Sequence, residues 1–150
     1  MRKYPRPPAV VPFGGRIRVI HRDAVIAETR RAIRVLETSH APMYFVPPSD
    51  VVTDRLARGT AQSYCQWKGA ATYWSVFTRG LLVVNAAWSY ETPLPEYDAI
   101  RGYYAFSASL LDECWVDNEQ AAPNPGSTSG GWITSNIIGP FKGEPGTEHW

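Results

Sequence analysis

Lys68 stands inside a run of aromatic and small residues, Ser63-Tyr64-Cys65-Gln66-Trp67-Lys68-Gly69-Ala70-Ala71-Thr72-Tyr73-Trp74, which is echoed by Asn85-Ala86-Ala87-Trp88-Ser89-Tyr90. An ammonium among rings is costly to desolvate, so it either escapes to water or meets an anion or a reacting group. Two kinds of chemistry follow. Lys68 can be the cation on a pocket wall that receives a carboxylate or phosphate. It can also be a base or imine-forming amine, with Glu37 or Tyr73 as its proton partner. The plain alternative is a surface lysine at a strand end. Read as strand, the segment puts Gln66 and Lys68 on one face and Cys65 and Trp67 on the other. Gly69 then marks a bulge or a close backbone approach by a ligand.

A second cluster is Arg34, Glu37 and Thr38. An arginine in an apolar strand needs a partner, and a structural salt bridge to Glu37 or Asp50 competes with a binding role. Tyr44, Asn85, Trp88 and Tyr90 add phenol, amide and ring. The candidate ligand-binding set is therefore Arg34, Glu37, Tyr44, Trp67, Lys68, Tyr73, Asn85, Trp88 and Tyr90. The candidate catalytic groups within it are Lys68, Glu37 and Tyr73. If these residues serve one site, Lys68 must meet Arg34 or Glu37 on a single concave surface lined by two or more of the aromatics.

Other chemistries lack their residues. Gly14-Gly15 precedes a strand pattern and Gly130-Gly131 is followed by Trp132, so neither forms a phosphate-cradling loop with Lys-Ser/Thr. No serine sits in a Gly-x-Ser-x-Gly elbow. Cys65 and Cys114 are far apart, and His21, His40 and His149 are scattered. That spacing suits free thiols and predicts no metal site and no cofactor.

The elements that must position these groups are short. The chain has 150 residues, enough for one core. It is rich in rings, with 6 Trp, 8 Tyr and 5 Phe, which fit a β-core or a ligand site equally well. Its net charge of +1 argues against a dedicated nucleic-acid binder. No apolar run reaches membrane-span length and no signal-peptide core is visible, so the expectation is a soluble, cytoplasmic protein without a membrane partner.

Residues 1–15, with Pro5, Pro7, Pro8 and Pro12, read as an extended arm, and residues 16–122 as the β-rich domain. Arg16–His21 and Val25–Glu28 read as a hairpin, followed by strands at Ala32–Glu37 and Pro42–Val46. A helical turn or two is expected over Asp50–Leu56 behind the N-cap Ser49. Ala71–Thr78 and Leu81–Trp88 form the clearest hairpin, joined by Arg79-Gly80. A short helix at Glu96–Arg101 ends at Gly102, and Tyr103–Phe106 and Leu110–Val116 return to strand. Residues 123–150 are Gly/Pro-rich but carry Trp132, Ile133, Phe141 and Trp150, so they should pack on the domain or on a partner subunit. Seven to nine strands with two or three helical turns favour an antiparallel barrel or sandwich over alternating βαβ units.

Four blocks then occur in a known order: Ala32–Thr38 with Pro42-Met43-Tyr44-Phe45-Val46-Pro47-Pro48-Ser49-Asp50-Val51; Cys65-Gln66-Trp67-Lys68-Gly69 with Tyr73; Asn85–Tyr90 with Pro93; and Tyr103-Tyr104-Ala105-Phe106. Over residues 16–117 the chain resembles the domain-of-unknown-function family 427, which some collections label nucleotidyltransferase-like. The tail from Asn124 through Gly143 resembles its longer members. The resemblance implies a mainly β fold (α+β at most), an antiparallel β-tent or barrel-like small domain with one or two short helices and a pocket in its cleft. Zinc-binding relatives of that fold use two Cys-x-x-Cys pairs, and this chain has none. Nor does it carry a Gly-Ser followed by paired carboxylates for two-metal phosphoryl transfer. Ala70 stands where many members have an acidic or polar residue.

Three functional readings result. The first is a module binding a small anionic organic ligand in an aromatic cleft around Lys68. The second is an enzyme of unknown reaction working through Lys68. The third is a structural protein that assembles, for example as a homodimer, through its C-terminal tail.

Overall fold

The computed structural model describes residues 9–36, 41–65, 68–123 and 131–135. These form a mainly β protein built from antiparallel sheets, with three short 3-10 turns. The strands are β1 (Ala9–Phe13), β2 (Ile17–His21), β3 (Ala24–Thr29), β4 (Ala32–Leu36), β5 (Met43–Phe45), β6 (Leu56–Cys65), β7 (Gly69–Thr78), β8 (Leu81–Ser89), β9 (Tyr104–Phe106), β10 (Glu113–Val116), β11 (Glu119–Gln120), β12 (Ala122–Pro123) and β13 (Trp132–Ile133).

Turn chemistry explains the best-defined hairpins. Arg22 and Asp23, at φ 49° and 63°, join β2 to β3, and Arg79 and Gly80, at φ 49° and 80°, join β7 to β8. Two consecutive positive φ values give the turn whose twist matches the flanking strands. In β2 the alternation Ile17, Val19, His21 is buried while Arg18 and Ile20 are half-covered, as one face against a core requires.

Two layers result. One is the four-stranded sheet β11-β10-β2-β3. The other joins β1-β4-β5 to β9-β8-β7-β6 where Val46 and Tyr104 exchange both backbone hydrogen bonds, at 2.8 and 2.9 Å. The larger sheet carries a core on each face, while the end of its β7–β8 hairpin, with Phe77, Leu81, Leu82 and Val84, is exposed. One face shares a core with the smaller sheet, containing Ile17, Val19, Ile26, Tyr44, Val76, Phe106, Cys114 and Trp132. The opposite face carries a second core, with Val35, Met43, Phe45, Ala71, Trp88, Tyr90, Tyr97, Ile100 and Ala105. Strand alternation decides membership: Tyr44 belongs to the first core, and its neighbours Met43 and Phe45 belong to the second.

Two features depart from the sequence-based expectations. Ordered structure begins before Arg16, because β1 pairs along its length with β4; Pro12 is tolerated since β1 is an edge strand. Of the helical turn or two expected over Asp50–Leu56, one forms within that span as a 3-10 turn at Thr53–Arg55; another precedes it at Pro48–Asp50, and the extended Val51 between them bridges Ala27 in β3. Leu56 instead opens the long strand β6. Glu37, Trp67, Phe141 and Trp150, which figured in those expectations, lie outside the described residues.

Candidate functional site

Lys68 is not a strand residue. Cys65 pairs with Gly69 across the β6–β7 ladder, so Lys68 lies between the two strands, and Gly69 sits at φ 106°. That left-handed backbone suits glycine and ends any strand continuity through Lys68. At Gly69 it is the chain itself that comes close: a Cβ there would lie 3.4 Å from the Thr92 carbonyl oxygen. The Leu94 N–H also donates to the Lys68 carbonyl at 3.2 Å. The side chain turns inward and is only 2% exposed, with Nζ 5.9 Å from the Tyr90 ring centroid. Tyr73, Trp88 and Tyr90 belong to this same second core, and Tyr90 packs 6.1 Å from Phe45. The Tyr73 hydroxyl is 2.9 Å from Ser63 Oγ.

Asn85 has a different duty. It lies at φ 56°, where the β7–β8 register slips between Trp74 and Val76, and its N–H donates to Ser75 Oγ at 3.2 Å. Asparagine tolerates that conformation better than most residues. Its Oδ1 would be only 2.8 Å from a Cβ on Gly59, which lies at a separate register shift between β6 and β7, so the glycine makes room for the asparagine.

Arg34 and Tyr44 are register partners on β4 and β5, and both face the first core, on the other side of the sheet from Lys68. The expected meeting of Lys68 with Arg34 therefore does not occur: one residue of alternation separates Arg34 from Val35, which faces the Lys68 side. Seven of the nine candidate residues are described, Glu37 and Trp67 being outside, and these seven divide. Lys68, Tyr73, Trp88 and Tyr90 form one group, Arg34 and Tyr44 a second, and Asn85 a third.

The second group opens on a cavity of about 430 Å³, lined by Phe13, Arg34, Tyr44 and Val116, by Asp117, Asn118 and Glu119, and by Thr134 and Ser135. Each wall is held by identifiable bonds. The Arg34 guanidinium lies over the Phe13 ring at 5.3 Å, and Phe13 meets Tyr44 edge-on at 5.3 Å. Tyr44 in turn packs at 5.3 Å against Trp132. Gly15 permits this packing, since a Cβ there would fall 2.6 Å from the Phe13 ring and 2.7 Å from Asp117 Oδ1. The β10–β11 turn is locked reciprocally: the Asp117 N–H donates to the Arg16 carbonyl at 2.7 Å, and the Arg16 N–H donates to Asp117 Oδ1 at 2.9 Å. Glu119 receives the N–H and hydroxyl of Ser135 at 2.7 and 2.8 Å, tying residues 131–135 to the cavity.

Electrostatically the cavity is unbalanced. Arg34 Nε is buried without a hydrogen-bond partner, and among the described residues no ion pair joins Arg34 to Asp117 or Glu119. An arginine left in that state retains its donor capacity for a planar acceptor such as a carboxylate or phosphate. Asp117 and Glu119 were not singled out in the sequence, where Asp-Asn reads as ordinary turn chemistry. Phe13 was hidden in the proline-rich segment. Only the pairing of β1 with β4 brings it over Arg34. Among the described residues no group of three His, Cys, Asp or Glu side chains is placed to hold a metal ion. Among the described residues no helix is long and apolar enough to cross a membrane.

A mainly β domain of two layers, with a polar-lined cavity at the edge of one core, is the class that fold and geometry define. Residues 9–117 match the model named NTP_transf_9, the domain of unknown function DUF427, and the chain belongs to that family. A search of curated proteins finds no match. The family boundary crosses the cavity: Phe13, Arg34, Tyr44, Val116 and Asp117 lie inside the matched span, whereas Asn118, Glu119, Thr134 and Ser135 lie beyond it.

Proposed function

We propose that this chain is a small-molecule-binding β domain, and that Arg34 receives the anionic group of a small organic ligand in the cavity beside Phe13 and Tyr44. The observation that carries the reading is the Arg34 guanidinium, lying over Phe13 with a buried Nε that has no hydrogen-bond partner, at a cavity of ligand size. Contact with the Phe13 ring restrains the guanidinium, so less entropy is lost when an acid docks on it. Lys68 then has a separate task. Its backbone anchors the loop at Leu94, and its stem packs in the second core, where an incoming carbonyl compound would have to open the cluster to reach the amine.

Thermal shift with a panel of small carboxylates and phosphates tests this, using wild type, Arg34→Gln and Lys68→Met. A ligand at about 100 times its Kd adds roughly 2.7 kcal/mol to the native state. Wild type and Lys68→Met should share the response, and Arg34→Gln should lose it. Loss in Lys68→Met with retention in Arg34→Gln would move the site to the Lys68 cluster. Equal responses in all three proteins would refute the proposal.

A further inference from the structure

We infer that the cavity takes a small zwitterion, a molecule carrying an acidic group for Arg34 and an ammonium group for the carboxylates of Asp117 and Glu119. The inference rests on the proposed binding role of Arg34 and adds what the rest of the cavity requires.

The lining holds one guanidinium and two carboxylates. A ligand bearing only negative charge would gain at Arg34 and be repelled by the two acids that share its cavity. These three groups line the same cavity, and yet among the described residues no ion pair neutralises Arg34 with either acid. They are separated charges of both signs. The complement of such a wall is a molecule with separated charges of opposite order.

The bonds that fix the acids leave them able to accept more. Asp117 uses Oδ1 for the Arg16 N–H, and among the described residues no donor reaches its Oδ2. Glu119 receives one donor on each oxygen from Ser135, and each carboxylate oxygen has two lone pairs. Both acids are therefore positioned by backbone contacts and keep acceptor sites for an ammonium. The hydroxyl of Ser135 and the amide of Asn118 add neutral polar groups at the same rim. On the opposite wall, Phe13 and Tyr44 offer rings against which a short aliphatic spacer can lie.

Binding measured by titration calorimetry on the full chain tests the inference. The probes are the zwitterions β-alanine, γ-aminobutyrate and phosphoethanolamine. Each is compared with its acid lacking the amine (propionate, butyrate, ethyl phosphate) and its amine lacking the acid (propylamine, butylamine, ethanolamine). A second charge-assisted contact is worth about tenfold in affinity. At least one zwitterion should therefore exceed both of its half-molecules by about tenfold or more on wild type. The Asp117→Asn, Glu119→Gln double variant, which retains an oxygen acceptor at both positions, should lose that preference. Arg34→Gln should lose binding of acids and zwitterions alike.

If the acids bind wild type as well as their zwitterions do, in an Arg34-dependent manner, the zwitterion inference is overturned and the anion-binding reading stands. If no probe binds, or if binding is unchanged in Arg34→Gln, both fail. Should the double variant not fold, the wild-type comparison of each zwitterion with its half-molecules decides alone.

Discussion

Replacing Trp132 by alanine should destabilise the domain severely, although the residue lies outside the family-matched span. Its side chain is 1% exposed in the first core, its ring packs 5.3 Å from Tyr44, and its indole N–H donates to the Phe106 carbonyl at 2.9 Å. Its backbone N–H also donates to the Pro42 carbonyl at 2.9 Å, so the segment is anchored at two places. Removing a buried tryptophan costs about 3–5 kcal/mol through lost transfer energy and the cavity left behind. For a chain of this size that corresponds to a fall of roughly 6–20 °C in Tm. Trp132→Phe divides the effect: it keeps most of the ring area and strips the donor from the buried Phe106 carbonyl, which costs about 1–3 kcal/mol. Urea unfolding followed by near-ultraviolet circular dichroism would measure both, with an unchanged m-value as the check that compactness is preserved. A loss smaller than about 1 kcal/mol in Trp132→Ala would refute the reasoning, since no fully buried indole should be that dispensable.

Burial pushes the Cys114 thiol up to about 12, so it should resist alkylation in the native protein at pH 8, while half-buried Cys65 reacts first; fast labelling of Cys114 would contradict this. The Thr29 hydroxyl, donating to Asp50 at 2.6 Å, and then Arg31 hold the Asp50 carboxyl below its ordinary value of 3.8, against the opposing effect of burial. A carboxyl depressed in the folded state contributes stability that is full above that ordinary value and is lost as pH falls through the folded one. Asp50→Asn should therefore flatten the acid limb of a urea-midpoint titration, and an unchanged limb would exclude the coupling. Gly69→Ala, forced to φ 106° against Thr92, should cost about 1–3 kcal/mol by the same unfolding assay, and a neutral result would mean the β6–β7 connection adopts another geometry.

What could be read from the sequence was chiefly what local chemistry dictates. The hairpin around Arg79-Gly80 and the one around Arg22-Asp23 announce themselves by turn residues between apolar alternations, and both form. The strand β6 was obscured because Arg58-Gly59-Thr60-Ala61-Gln62-Ser63 has no apolar rhythm. Its place depends on the ladder to β7, where the register itself shifts between Arg58 and Gln62. Lys68 looked like a strand residue because aromatic residues surround it. The positive φ of Gly69 that makes it a turn residue depends on the approach of residues 92–94, which no local pattern encodes. Asn85 stood out as a polar residue among alanines, and the β7–β8 register slip, with room left by Gly59, accounts for it.

The division of the aromatic motifs has a single physical origin. A sheet with a core on each face cannot send neighbouring strand residues to one site, because alternation assigns them to opposite cores. Arg34 and Val35 lie next to each other in sequence and serve different cores, as do Tyr44 and Phe45. The same alternation explains how β4 supplies a cation to the cavity while also closing the core around Lys68. The matched family span then contributes the cation and the rings, Arg34, Phe13 and Tyr44. Residues past its end, Glu119 and Ser135 among them, complete the opposite wall. In the proposed binding site, exchanging those later residues should change which ligand is chosen without abolishing the affinity that Arg34 provides, because the two contributions come from separate walls fixed by separate bonds.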